Sequence, residues 1–199
     1  MDKKELTDPC GLTKEKIDNL RTELSIKSKN GIDFVTSASI IWLCIAYIWS
    51  LGFSSYDKSV FTFIIGGLML PTALLLSKIL KTTWKNEDNP LQPLGLWLNF
   101  AQLFYFPFLI FALIKIPDYF VMVYAIITGG HFFPYSWFYR TKWYATFSGI
   151  IVIGALFFGL FLTTKKIFYI PLFLSVMLAF LTVLLYLDTK NKTIKQKTE

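Results

Sequence analysis

The chain has 199 residues, of which 54% are hydrophobic, 18% aromatic and only 17% charged, with a mean hydropathy of +0.51. Soluble domains are about 45–50% apolar and about 25% charged, so an ordinary soluble fold is excluded, and the length leaves no room for a second, soluble domain. The net charge of +7 would suit nucleic acid, but the basic residues lie between apolar blocks and at the ends rather than on an amphipathic surface, so no nucleic-acid partner is expected.

Residues 1–30 form a polar, basic lead. Asp8-Pro9 and Gly11 break its first part, and a short amphipathic helix then starts with Thr13 as its N-cap and a hydrophobic staple between Leu12 and Ile17. Ile17, Leu20 and Leu24 continue at helical spacing, and Glu23 precedes Lys27 by one turn. Such a helix lies along the headgroups, covers loops of a bundle, or stands solvated. The first apolar block begins only after this charged lead, which argues for an uncleaved anchor rather than a signal peptide.

Six apolar blocks follow, over residues 32–53, 59–80, 96–114, 119–138, 143–162 and 167–187. Each is roughly 19–22 residues, which matches a hydrocarbon core ~30 Å thick at 1.5 Å per residue. The fold class is therefore all-α: a polytopic membrane protein with about six transmembrane helices in a single bundle spanning residues 31–188, followed by a basic tail, 189–199. Roughly 16 of the 20 Lys and Arg residues fall on the side that holds both termini, which places the termini in the cytoplasm. The longest loop, 81–95, lies on that side, as a surface connection or a re-entrant lip over a cavity.

Polar groups inside spans need a reason, because hydrocarbon penalises them. Asp33, Thr36 and Ser37 enter the first span; Asp33 is either pocket lining or simply hydrated at the interface, where it also favours the helix N-terminus through the dipole. Asn99 and Gln102 share a face of the third span, as interhelical glue or pocket lining. Tyr135, His131, Thr128 and Tyr124 follow one face of the fourth, and Asp188, Tyr186, Thr182 and Ser175 one face of the sixth. At ~1.5 Å per residue, Gln102 and His131 both lie roughly 10 Å below the cytoplasmic interface. A polar pocket open to the cytoplasm, lined by His131, Asn99, Gln102, Thr128, Tyr135 and Asp33, is the expectation; a closed hydrogen-bond knot that fixes helix register is the alternative. Gly129-Gly130, with Gly130 as the contact, is expected to permit close helix packing, as are Ala155 and Gly159.

Several chemistries are set aside. His131 is the only histidine, which rules out a histidine-pair zinc protease, and Cys10 and Cys44 are too far apart in the expected topology for a disulfide or a metal set. Phe147-Ser148-Gly149 lacks the glycine that precedes an exposed serine nucleophile, and no Gly-x-x-x-x-Gly-Lys loop is present. No metal, cofactor or catalytic residue is expected.

The segment Gly129-Gly130-His131-Phe132-Phe133-Pro134-Tyr135 and the start of the first span, Lys29-Asn30-Gly31-Ile32-Asp33-Phe34, resemble a family of small, uncharacterised bacterial multi-pass membrane proteins with a Gly-small-His-x-x-Pro-Tyr segment in a middle span. The resemblance implies a bacterial cell-membrane location and brings no activity. Three functions stand. The first is binding or passage of a small molecule through the cytoplasm-facing pocket. The second is a structural or regulatory subunit that binds another membrane protein or a second copy. The third is a membrane enzyme that uses His131 as acid or base on a lipid-like substrate.

Overall fold

The structure, a computed structural model, describes residues 13–84, 86 and 88–198. Asp8, Pro9, Cys10, Gly11 and Leu12 lie outside the described residues, and with them the expected break, the Leu12 staple and the separation of the two cysteines. Among the described residues the fold is entirely helical.

Helix α1, Lys14–Lys27, begins where expected: Thr13 is extended and its hydroxyl accepts the Lys16 N–H at 3.3 Å. Glu15 in its first turn and Lys27 in its last complement the helix dipole. The chain then reverses through Lys29, Asn30 and Gly31, with φ of 48°, 55° and 68°. Three successive left-handed residues are sterically costly for most side chains; asparagine tolerates the conformation and glycine adopts it freely. Gly31 is doubly required, since a Cβ there would also stand 3.0 Å from the Tyr139 hydroxyl.

Helix α2, Ile32–Ser50, starts directly from this turn. Helices α3, Ser55–Gly66, and α4, Met69–Leu80, form one bent element, as do α5, Gln92–Leu103, and α6, Phe106–Lys115. The first bend follows Gly66-Gly67, where Pro71 also withdraws a backbone donor; the second precedes Pro107. Then come α7, Phe120–His131, the single-turn α8, Tyr135–Phe138, α9, Trp143–Phe161, and α10, Tyr169–Thr198. Helix α10 runs without a break from its apolar part through the basic tail.

Among the described residues, five helical stretches are long and apolar enough to cross a membrane: Lys29–Ser50, Ser55–Leu80, Gln92–Lys115, Trp143–Phe161 and Thr164–Thr198. The expected fourth span, 119–138, is interrupted. Its continuous helix stops at His131 after 12 residues, about 18 Å at 1.5 Å per residue. Turns fill 132–134 before α8. Pro134 has no N–H to offer the Gly130 carbonyl and its ring crowds that carbonyl, while Gly129-Gly130 supplies little helix propensity to resist the break.

The core is built by α2, α7, α9 and α10, with α10 packed most extensively on α2 and α7 on α9. Small residues bring α2 and α10 together, where Ser39 and Ser175 exchange hydrogen bonds: each hydroxyl donates to the other's carbonyl, at 2.9 and 2.8 Å. On the other seam a Cβ at Gly129 would lie 2.5 Å from Ile151 Cγ2, whereas Gly130 has nothing within 4 Å. The close contact is therefore at Gly129, and the expectation for Gly130 is corrected: one residue is a 100° rotation, which turns Gly130 outward. Ala155 is buried, and Gly159 backs onto Met122. The α3–α6 hairpin is peripheral. Only 17% and 11% of its two apolar windows are buried, against 56% for residues 29–50.

Candidate functional site

The polar residues gather at the end of the bundle that carries α1. Asn30 is fully buried in the left-handed turn and acts as a hub. Its amide donates to the Leu185 carbonyl (3.1 Å), Asp188 Oδ2 (3.0 Å) and Thr189 Oγ1 (2.9 Å). Its Oδ1 accepts from the Ser25 hydroxyl at 2.6 Å, and its carbonyl from Tyr144 at 2.6 Å. Lys192, one turn beyond Asp188 on α10, pairs with that carboxylate at 2.7 Å and donates to Ser25 Oγ and the Tyr139 carbonyl, both at 2.9 Å. This knot ties α1, the start of α2, the α8–α9 connection and α10 to one point. Sequence reasoning left Asn30 in the polar lead; the Asn-Gly pair next to a span was the available turn signal.

Asp33 lies in the first turn of α2, where the helix dipole favours a negative charge. It is 1% exposed, so the hydrated-interface reading is corrected. Its Oδ2 accepts from Thr82 Oγ1 at 2.7 Å and from the Trp84 indole N–H at 2.5 Å, both from the connection between α4 and α5. The Trp84 ring stacks on Phe34 with centroids 4.7 Å apart and 25° between planes. Among the described residues Asp33 has no ion-pair partner.

The α4–α5 connection is held over Asp33 by polar contacts. Lys81 enters it at φ 53°. Thr83 N–H donates to the Lys27 carbonyl at 3.2 Å, and Lys29 Nζ to the Leu80 carbonyl at 2.6 Å. Gln92 spans the loop: its amide donates to the Trp84 carbonyl at 2.7 Å while its Oε1 accepts the Asn86 N–H at 2.6 Å. The Glu23 carboxylate on α1 accepts from Asn86 Nδ2 at 3.1 Å and Asn89 Nδ2 at 3.0 Å, and pairs with Lys27 at 2.6 Å. Helix α1 is thus a clamp over the loops, the second of its three expected settings. On its other flank Arg21 donates to the Trp137 carbonyl at 2.6 Å and sits 4.4 Å from the Trp137 ring centroid.

Lys27 and then Asn86, with a lesser contribution from Asn89, hold the Glu23 carboxyl below the ordinary value of 4.5 against the opposing effect of burial. A carboxyl whose folded pKa is depressed stabilises the fold above its unfolded pKa and loses that contribution as pH falls through the folded value. The clamp is therefore expected to hold at neutral pH and to loosen as pH drops below about 4.5. The protection factors of residues 86 and 88–92, which divide out the intrinsic pH dependence of amide exchange, would fall over that window in the parent chain. In Glu23→Gln they would already be lower at neutral pH and respond less to acid. Protection factors unchanged by both pH and substitution would remove Glu23 from this role.

The other expected site residues fall into separate settings. Tyr135, buried, and Asn99, exposed, meet at one acceptor: the Gly95 carbonyl takes the Tyr135 hydroxyl at 3.5 Å and Asn99 Nδ2 at 3.2 Å. Thr128 is buried on α7 and Gln102 half-buried on α5. His131 is half-buried, its ring 5.3 Å from that of Tyr135 in an edge arrangement and 6.0 Å from that of Phe132. Among the described residues neither His131 nor Gln102 makes a side-chain hydrogen bond, and the six do not form one bonded set.

A family model matches residues 17–188, most of the chain. The chain belongs to DUF7010, a family of unknown function. The match takes in α1 from Ile17 onward, the Asn30 turn, Asp33 with the loop over it, and α10 as far as Asp188; Thr189 and Lys192 of the knot lie just beyond the DUF7010 region. No curated protein and no solved structure matches the chain.

Proposed function

We propose that this DUF7010 chain crosses a bacterial cell membrane six times, with both termini in the cytoplasm, and binds or passes a small molecule at a site around Asp33 beneath the α4–α5 loop. One observation carries the reading: Asp33 is buried at the end of an apolar helix and has no ion-pair partner among the described residues. An ionisable group at such a place is expensive and is retained where it serves a ligand or ion path. The two donors on it come from a loop rather than from the bundle, so the site is covered by a segment that opens at lower free energy than the core. The six-span count follows if the broken element α7–α8 crosses together with its turn, and the Lys and Arg distribution supplies the orientation.

The test is a thermal-shift screen of the purified full chain in detergent against small cations, anions and neutral polar molecules, run beside Asp33→Asn. The asparagine side-chain oxygen still accepts from Thr82 and Trp84, so the fold is expected to persist. Compounds that raise the melting temperature of the parent by several degrees and lose most of that effect in Asp33→Asn are the expected result. No stabilising compound, or equal shifts in both chains, would reject the site.

A second reading, a subunit that docks on another membrane protein, draws on Asn99. It is exposed on the peripheral hairpin, with its amide turned back onto its own helix. A polar group facing outward there is available to a neighbouring helix.

A further inference from the structure

Resting on the reading of Asp33 as a ligand site, we propose that Trp84 is a built-in stand-in for the ligand, and that the site takes a small planar aromatic molecule carrying an N–H or ammonium donor. The indole makes two contacts at once. Its N–H points at Asp33 Oδ2, 2.5 Å away, and its face lies on Phe34 at 4.7 Å. A free molecule with a donor on the edge of a flat ring would reproduce both. An aliphatic cation would satisfy only the carboxylate, and a hydrocarbon only the ring.

The way Trp84 is held supports displacement. Its loop is fixed by hydrogen bonds to α1 and by the Gln92 bridge, and the ring itself is half-buried. Segments held this way open at lower free energy than the core. Asp33 and Phe34 belong to the first turn of α2, which the Asn30 knot fixes to α10. When Trp84 swings away, a rigid half-site remains: a carboxylate and an aromatic face. The cover competes with the ligand for the same atoms, so the protein rests closed and opens in proportion to ligand concentration.

The experiment uses the full chain in detergent and three probes: indole, naphthalene and methylammonium. In Trp84→Ala, indole is expected to raise the melting temperature by several degrees, with at least a threefold weaker response to naphthalene and to methylammonium. In Trp84→Ala/Asp33→Ala, which removes the acceptor altogether, the indole response is expected to disappear. Should Trp84→Ala fail to fold, the parent chain decides: indole is expected to speed hydrogen exchange of residues 82–84 several-fold as it displaces the loop, while naphthalene leaves it unchanged. An Asp33-dependent response to methylammonium that equals or exceeds that to indole would overturn the aromatic class and leave the Asp33 site standing. A response to indole that survives Asp33→Ala, or exchange that no probe alters, would overturn the stand-in role. Loss of every Asp33-dependent response would take the site with it.

Discussion

Asn30→Ala is expected to lower the stability of the folded chain by about 3 kcal/mol. The substitution removes an acceptor from the Ser25 hydroxyl and a donor from the Leu185 carbonyl and Thr189 hydroxyl, all buried. Each buried polar group left without a partner costs about 1–3 kcal/mol; Lys192 already donates to Ser25 and cannot accept its proton, while the Thr189 hydroxyl keeps its bond to the Leu185 carbonyl. Alanine at a φ of 55° adds roughly 1 kcal/mol of backbone strain. The exposed Asn19 on α1 is the control, and Asn19→Ala is expected to stay within about 0.5 kcal/mol of the parent. Denaturation in mild detergent reads the difference, and an Asn30→Ala chain as stable as Asn19→Ala would show that the knot does not hold the capped end together.

The second large effect belongs to the α7–α9 seam. Gly129→Leu must place its Cβ in space that Ile151, fully buried and β-branched, already fills at 2.5 Å. Ile151 has one preferred rotamer on a helix and no solvent-facing direction in which to move, so α7 has to separate from α9. Overpacking of this kind costs about 1–3 kcal/mol in a well-packed core, and the upper end is expected here because the obstacle lies on a helix rather than at the end of a flexible chain. Gly130→Leu is expected to be neutral or stabilising by about 0.5 kcal/mol, through leucine's higher helix propensity. Melting temperatures that fall equally for both variants, or further for Gly130→Leu, would refute this packing.

The apolar blocks, with the Thr13 cap, made most helices legible, because hydrophobic length and capping chemistry are local properties of the sequence. The break after His131 was foreshadowed by Pro134 and Gly129-Gly130 but masked by the uninterrupted apolar composition of 119–138. Gly129 and Gly130 were not separable from sequence, since which one faces a neighbour depends on a rotation set by the whole bundle. The polar face read for the fourth span runs across the break, with Tyr135 on α8, and periodicity says only which residues share a side. It does not say what stands opposite, and opposite His131 stand the rings of its own chain segment. Asp33 stood out as an ionisable group at a span end. Its partners Thr82 and Trp84 lie 49 and 51 residues away, and no local pattern links them. Glu23 was noted for its pair with Lys27, which the structure contains; its grip on Asn86 and Asn89 joins elements that only the tertiary fold brings together.

The central claim is that Asp33 is reached from the cytoplasm through the α4–α5 loop. Thr82 marks the spot, because its hydroxyl is 2.7 Å from the carboxylate. With Cys10 and Cys44 changed to serine, Thr82→Cys can be challenged with a membrane-impermeant maleimide in intact cells and in inside-out vesicles. Labelling in inside-out vesicles alone is expected, at a rate that rises several-fold when Glu23→Gln loosens the clamp. Labelling from outside intact cells, or none from either side until the protein unfolds, would contradict the account.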